Sequence, residues 1–342
     1  MKSSHSNNFD FLRLTAAIMV WYGHSCGFLK HTDLVSTFFS FESFGSLGVT
    51  IFFVISGYFI AMSYENNRNI LHYLKNRALR ILPALIAVVL ISIFIIGPLF
   101  TSLSLYEYFT NSVTWKYLKC ILIFPLQYDL PGVFTDNPGK GAVNGSLWTL
   151  QHEVRLYGVI ALLGILGILR PRVMFILLAA LFAFRIYGLI EHFSDSDIVF
   201  TFKWGKLELM MRLASQFAAG SFLYLAKDKL PQKALYFLVA AGLVAGSAFL
   251  PTLVGNMVFD LAFAYSVIYL GFLKLPILPS VSRFGDFSYG FYLYAYPLQQ
   301  AFYRMLGGNP DFTTYLITTF CAILLCAVAS WHLVEKPALA KK

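Results

Sequence analysis

Arg13 and His24 stand eleven positions apart in one hydrophobic stretch, FDFLRLTAAIMVWYGHSCGF, from Phe9 to Phe28. Ionisable side chains in hydrocarbon are costly and point to function. Eleven residues at 100° each give about 1100°, roughly 20° beyond three full turns. The two side chains therefore share a helix face, about 16 Å apart along the axis. A fixed cation near one end and a titratable imidazole near the other suit anion handling and proton transfer. The structural alternative is an arginine snorkelling to headgroups and a histidine resting in the interface.

A second such stretch is GSLWTLQHEVRLY, residues 145–157. Ser146, Thr149, Glu153 and Tyr157 recur at three- and four-residue steps, which puts them on one stripe. Glu153 lies about seven residues into its span, roughly 10 Å deep; His24 lies about four residues from the end of its own, roughly 6 Å. The two are therefore expected at a shared depth, lining one cavity. A membrane-depth carboxylate must be paired, neutralised or wetted. A tie from Glu153 to Arg155 or Arg185 is the structural alternative.

Arg77 and Arg80, in LKNRALRILPAL (residues 74–85), sit three apart on a helical segment. Two guanidiniums on one face make a fork suited to phosphate. Basic residues at a span boundary are also an ordinary topology signal. In FSYGFYLYAYPLQQAFYR, residues 287–304, Tyr289, Tyr292, Tyr296, Gln299 and Tyr303 recur at helical steps. Rings bearing hydroxyls and amides suit the mixed faces of a sugar. An interfacial aromatic belt would look the same.

The elements that must position these residues are membrane helices. The chain has 342 residues, 58% hydrophobic and 13% charged, with mean hydropathy +0.67. Soluble domains average about 45–50% apolar and about 25% charged. A crossing needs about 20 apolar residues. Ten stretches qualify: 9–28, 45–64, 81–100, 146–169, 173–192, 209–226, 234–252, 254–273, 285–305 and 312–334. Residues 116–127 are too short and are expected as an interfacial or re-entrant piece. MKSSHSNN leads into the first span with no cleavage site. The expected fold is an all-α integral membrane bundle of about ten transmembrane helices. It forms a single domain over 1–342, with no appended soluble domain.

With the N-terminus in the cytoplasm, fifteen of the 26 Lys and Arg fall in cytoplasmic segments and seven outside. Four lie within spans: Arg13, Arg155, Arg185 and Arg212. This asymmetry puts both termini in the cytoplasm. It also accounts for the net charge of +9 without a nucleic-acid partner. Cys26, Cys120, Cys321 and Cys326 have no metal-ligand spacing, so no metal is expected; Cys321 and Cys326 are read as packing residues, and a Cys26–Cys120 bridge is the alternative for the other two.

Taken together, these segments resemble the acyltransferase-3 family of polytopic membrane O-acyltransferases, over about Phe9 to Pro337. The carriers, in order, are FDFLRLTAAIMVWYGH, GVTIFFVISGYFIA, RALR, GSLWTLQHEVRLY, RLASQFAAG (Arg212 to Gly220), FSYGFYLYAYP and VEKP. The resemblance implies transfer of an acyl group, usually acetyl, from a cytoplasmic coenzyme A thioester to a carbohydrate hydroxyl. It implies that His24 is catalytic, that Arg13 is essential, and that Arg77 and Arg80 help hold the donor. Acetyl-CoA would act as a co-substrate, with no tightly bound cofactor. Relatives modify lipopolysaccharide O-antigen, peptidoglycan, exopolysaccharides, Nod factors and macrolides, and the implied location is the bacterial inner membrane. Ala295 stands where many relatives carry a histidine.

The expected mechanism has His24 as general base on the acceptor hydroxyl. Glu153 would orient it and stabilise the imidazolium, and Arg13 would steady the thioester. An acyl-histidine route is a variant. Tyr157, Tyr289, Tyr292, Tyr296 and Gln299 would hold the acceptor. A proton-coupled transporter of a glycan or lipid-linked sugar is the rival from another class, with His24 and Glu153 as a proton relay.

Overall fold

The computed structural model describes residues 8–139, 141–191, 193, 198–199, 202–230, 233–273 and 285–341. Lys2, Lys140, Lys274, Arg283 and Lys342 of the orientation count, and residue 192 of the fifth expected span, lie outside them. Among the described residues the regular structure is helical, apart from a two-residue pairing of Ile198–Val199 with Phe202–Lys203 and two isolated bridges, Thr101 with Val133 and Asp129 with Ala142.

Helix α1 (Phe9–Leu29) is followed by short α2 (Leu34–Phe38) and by α3 (Phe44–Asn66). Helix α4 (Ile70–Ile91) runs through a π-helical turn into α5 (Gly97–Phe100). Two short helices, α6 (Leu105–Thr110) and α7 (Ser112–Lys116), open a long loop. Its 116–127 segment continues as a 3-10 turn over Tyr117–Leu122. Then come α8 (Trp148–Ile165), α9 (Pro171–Ile190), α10 (Trp204–Leu225), α11 (Ala234–Ser247) and α12 (Thr252–Phe272). Helices α13 (Ser288–Met305), α14 (Phe312–Ser330) and α15 (Lys336–Leu339) complete the chain.

Each of the ten expected spans contains helix among the described residues, over part or all of its length. Among the described residues, five helical stretches are long and apolar enough to cross a membrane: Phe44–Asn66, Ile70–Phe100, Pro171–Gly188, Thr252–Phe272 and Phe312–Leu339. Helix α11 has 14 residues, too few for that test. The other four, α1, α8, α10 and α13, carry the charges and hydroxyls singled out above. That polarity lowers their hydropathy, and a polar helix is tolerated at membrane depth when it faces protein or a cavity.

Close backbone approach builds the centre, as expected where lipid leaves little hydrophobic drive between helices. Helix α3 lies between α1 and α10. A Cβ at Gly48 would strike the Ala16 carbonyl, and one at Gly57 would strike the Phe217 carbonyl. Hydrogen bonds fix the remaining neighbours. Gln299 Nε2 on α13 donates to the Trp21 carbonyl of α1 at 2.9 Å, and Trp21 Nε1 donates to Thr319 on α14 at 3.1 Å. Asn8 Nδ2 caps the far end of α12 through the Leu270 and Leu273 carbonyls. The long loop is pinned to α13: Asn137 Nδ2 donates to Gln300 Oε1 and Asn144 Nδ2 to the Leu293 carbonyl. All four cysteines are free.

Candidate active site

Two cavities lie along α3, and α1 borders both. The first, of about 670 Å³, opens among the start of α1, the end of α3, the start of α4 and the start of α13. Phe9 and Leu339 both line it, so the two described chain ends lie at the same end of the bundle. Arg13, Arg77 and Arg80 are in its wall, with Glu153 and Tyr157 from α8 and Tyr289 and Tyr292 from α13. The helical spacing that put Arg77 and Arg80 on one face holds. Their surroundings differ.

Arg80 forms an ion pair with Asp286 at 2.5 Å, and its guanidinium lies over the Tyr289 ring, 5.9 Å from the centroid. Ser288 Oγ donates to Asp286 as well. Arg13 pairs with Asp10 at 3.2 Å and lies over the Phe59 ring. Arg77 has no ion-pair partner among the described residues, and its Nε is buried without a hydrogen bond. It is the uncommitted cation of this cavity.

Glu153 accepts from Ser56 Oγ at 2.7 Å and from Tyr157 OH at 2.6 Å. Neither arginine of the structural alternative holds it. Arg155 lies over the Phe124 ring, and Arg185 is bound to Asp260 and Glu208. Tyr73 OH donates to the Tyr157 carbonyl and Tyr289 OH to the Ile81 carbonyl, which locks α4 against α8 and α13.

The second cavity, of about 730 Å³, contains His24. The His24 ring meets Tyr296 edge-on, with centroids 5.2 Å apart, and its Nδ1 is buried with no partner. Trp148, Arg212 and Gln216 complete the deeper wall, while Lys30 and Asp33 stand at the rim. Val49 and Tyr292 border both cavities. Tyr292 OH donates to the Ser146 carbonyl at 2.9 Å and lies 2.6 Å from Thr149 Oγ1, so the shared wall is firmly set.

The structure thus gathers Arg13, Arg77, Arg80, Glu153, Tyr157, Tyr289 and Tyr292 into one cavity and puts His24 in the adjoining one. The expected pairing of Glu153 with His24 in a single cavity is not made. Asn144, Ser146 and Leu147 are buried, so α8 begins inside the protein and a depth counted from the bundle end does not apply to Glu153. Tyr296 touches His24 but lines neither cavity. Gln299 is fully buried, bonded to α1 through Trp21 and Ser25. It is a structural tie here, not a lining residue of either cavity.

Sequence reasoning missed Asp286, Ser56 and Gln216. Asp286 lies at the very start of the ninth expected span, before α13 begins at Ser288, and carries no periodic signal. Ser56 sits in the quoted ISGYF segment, and Gln216 lies four residues after Arg212, a spacing that puts both on one face. Arg185 and Asp260 form an ion-pair cluster with Arg212, Glu42 and Glu208.

Chemically, an arginine-lined cavity that shares a wall with a cavity holding an unbonded imidazole can bring an anionic donor and a hydroxyl acceptor together from two sides. The comparisons with known proteins agree with group transfer. A family model described as an acyltransferase domain, acyltransferase-3, matches residues 6–331. A protein named O-acetyl transferase from Shigella phage Sf6 is 27% identical over 338 residues, covering 97% of this chain and 95% of that protein. Nodulation protein 10 of Rhizobium leguminosarum bv. viciae is 27% identical over 354 residues, covering 98% and 94%. No solved structure gives a significant match. The chain belongs to the acyltransferase-3 family and is a multi-pass membrane acyltransferase.

Proposed function

We propose that this protein moves an acetyl group from acetyl-CoA to a hydroxyl of a carbohydrate on the far side of the bacterial inner membrane. The observation that carries this reading is the pair of adjoining cavities, one with Arg77 uncommitted and one with His24 unbonded, sharing Val49 and Tyr292.

The first cavity opens to the cytoplasm, with both termini on that side. The donor's phosphates sit near its mouth and engage Arg77, since charge-assisted bonds to phosphate are the strong ones. Arg80 and Arg13, each held by its own carboxylate, shape the passage. The donor's long uncharged arm passes Glu153 and Tyr157 and brings the thioester to the shared wall. The acceptor hydroxyl enters the second cavity. His24 takes its proton, the oxygen attacks the thioester carbonyl, the carbon–sulfur bond breaks, and the CoA thiolate is protonated on release. Glu153 therefore serves the donor side in this scheme and does not orient His24 directly. Candidate acceptors include O-antigen or exopolysaccharide units; the phage relative's name, O-acetyl transferase, fits ester formation on a hydroxyl.

The test is release of CoA thiol from acetyl-CoA by membranes supplied with surface glycan, with ester found on the glycan by mass spectrometry. Glycan movement without thiol release would favour the transporter.

A further inference from the structure

Arg212 and Gln216 stand one turn apart on α10, and both line the second cavity. One carboxylate fastens them from behind. Arg212 Nη2 and Gln216 Nε2 each donate to Asp260 Oδ1 at 3.2 Å. Asp260 is itself paired with Arg185 at 2.9 Å, and Arg212 with Glu42. The two side chains are 7% and 1% exposed. Yet Arg212 Nε and Gln216 Oε1 have no hydrogen-bond partner among the described residues. Buried polar atoms are almost always satisfied, so such a pair at a cavity wall needs an occupant. Arg212 Nε can only donate and Gln216 Oε1 can only accept. The amide is oriented by Asp260, because only its NH2 can face a carboxylate. His24 Nδ1 is a third unpartnered atom of the same cavity.

We propose that Arg212 and Gln216 clamp two neighbouring hydroxyls of an uncharged sugar and so set the acceptor class of the His24 cavity. One hydroxyl accepts from Arg212 Nε–H, and its neighbour donates to Gln216 Oε1. The clamp is built for a neutral ligand. Behind it, Arg185 and Arg212 face Glu42, Glu208 and Asp260, two cations against three carboxylates. At the rim, Lys30 is offset by Asp33. A uronate carboxylate would therefore meet net negative charge. This rests on the reading that the acceptor occupies the second cavity.

The experiment is saturation-transfer NMR on the full chain in lipid nanodiscs, without donor. The probes are methyl glycosides of glucose, galactose and rhamnose, the methyl glucuronide, and monodeoxy analogues of the best binder. The expected result is binding of at least one neutral glycoside, with the glucuronide about tenfold weaker or worse. One monodeoxy analogue binds about 3- to 10-fold more weakly, the worth of one neutral hydrogen bond. Gln216→Leu weakens the parent sugar by the same factor and no longer distinguishes it from that analogue. A glucuronide that binds as well as the neutral sugars, no binding by any sugar, or full affinity in Gln216→Leu overturns the clamp. Should Gln216→Leu fail to fold, the monodeoxy series on the native protein decides alone. Sugar binding without thiol release from acetyl-CoA would sink the transferase and leave the clamp standing.

Discussion

The two cavities handle buried polarity in opposite ways. In the first, Arg80 has Asp286 and Arg13 has Asp10, and Arg77 Nε and Asn76 Oδ1 are the wall atoms without partners among the described residues. In the second, His24 Nδ1, Arg212 Nε and Gln216 Oε1 all lack partners. A cavity in which two of three arginines are held by carboxylates can admit a large anionic ligand past them and bind it at the third. A cavity with unmade hydrogen bonds is shaped for a small polar group that completes them. The contrast separates a donor passage from an acceptor pocket, and single substitutions can break it.

The largest effect belongs to His24. His24→Ala should lower turnover by about 10² to 10⁴, the usual worth of general base catalysis, while acetyl-CoA binding persists. Loss of donor binding in this variant would place the histidine in the wrong cavity. Next is the shared wall. Val49→Trp should crowd the junction and cost about 10² in turnover, since small misplacements of reacting groups are that expensive. Donor affinity measured by calorimetry should hardly change.

The two arginines then divide. Arg80→Ala strands Asp286 and should destabilise the protein by about 3–5 kcal/mol, seen as a lowered melting temperature in detergent. Arg77→Ala strands no carboxylate. It should melt near the native temperature and lose about 10- to 150-fold in donor affinity. Equal melting of the two variants would erase the distinction between them. The smallest effect is expected at Glu153. Glu153→Gln should raise the donor KM by several-fold, with little change in acceptor KM. Its cost should add to that of His24→Ala, because the pair share no contact. Overlapping losses would restore the direct pairing.

Much of this arrangement was legible in the sequence. Hydropathy located the long helices among the described residues, and the three-residue step put Arg77 and Arg80 on one face. The Arg13–His24 spacing was informative in a second way, because Arg13 lines the first cavity and His24 the second. The shared depth of Glu153 and His24 was not legible. Depth counted from a helix end assumes that all ends lie in one plane, and Asn144 and Gln300 pull the start of α8 inside the bundle. Asp286 was invisible because its role depends on a helix more than two hundred positions away in sequence. Gln299 had the right period for the tyrosine stripe, but periodicity gives the face of a helix and not which neighbour that face meets.

The central claim is that donor and acceptor reach the shared wall from opposite sides of the membrane. Sealed proteoliposomes holding the glycan inside, with acetyl-CoA outside, test it most directly. The account predicts that vesicles with the first cavity facing outward release CoA thiol outside and gain acetyl ester inside, and that His24→Ala vesicles do neither. Transfer that occurs only when both substrates are on one side would contradict it.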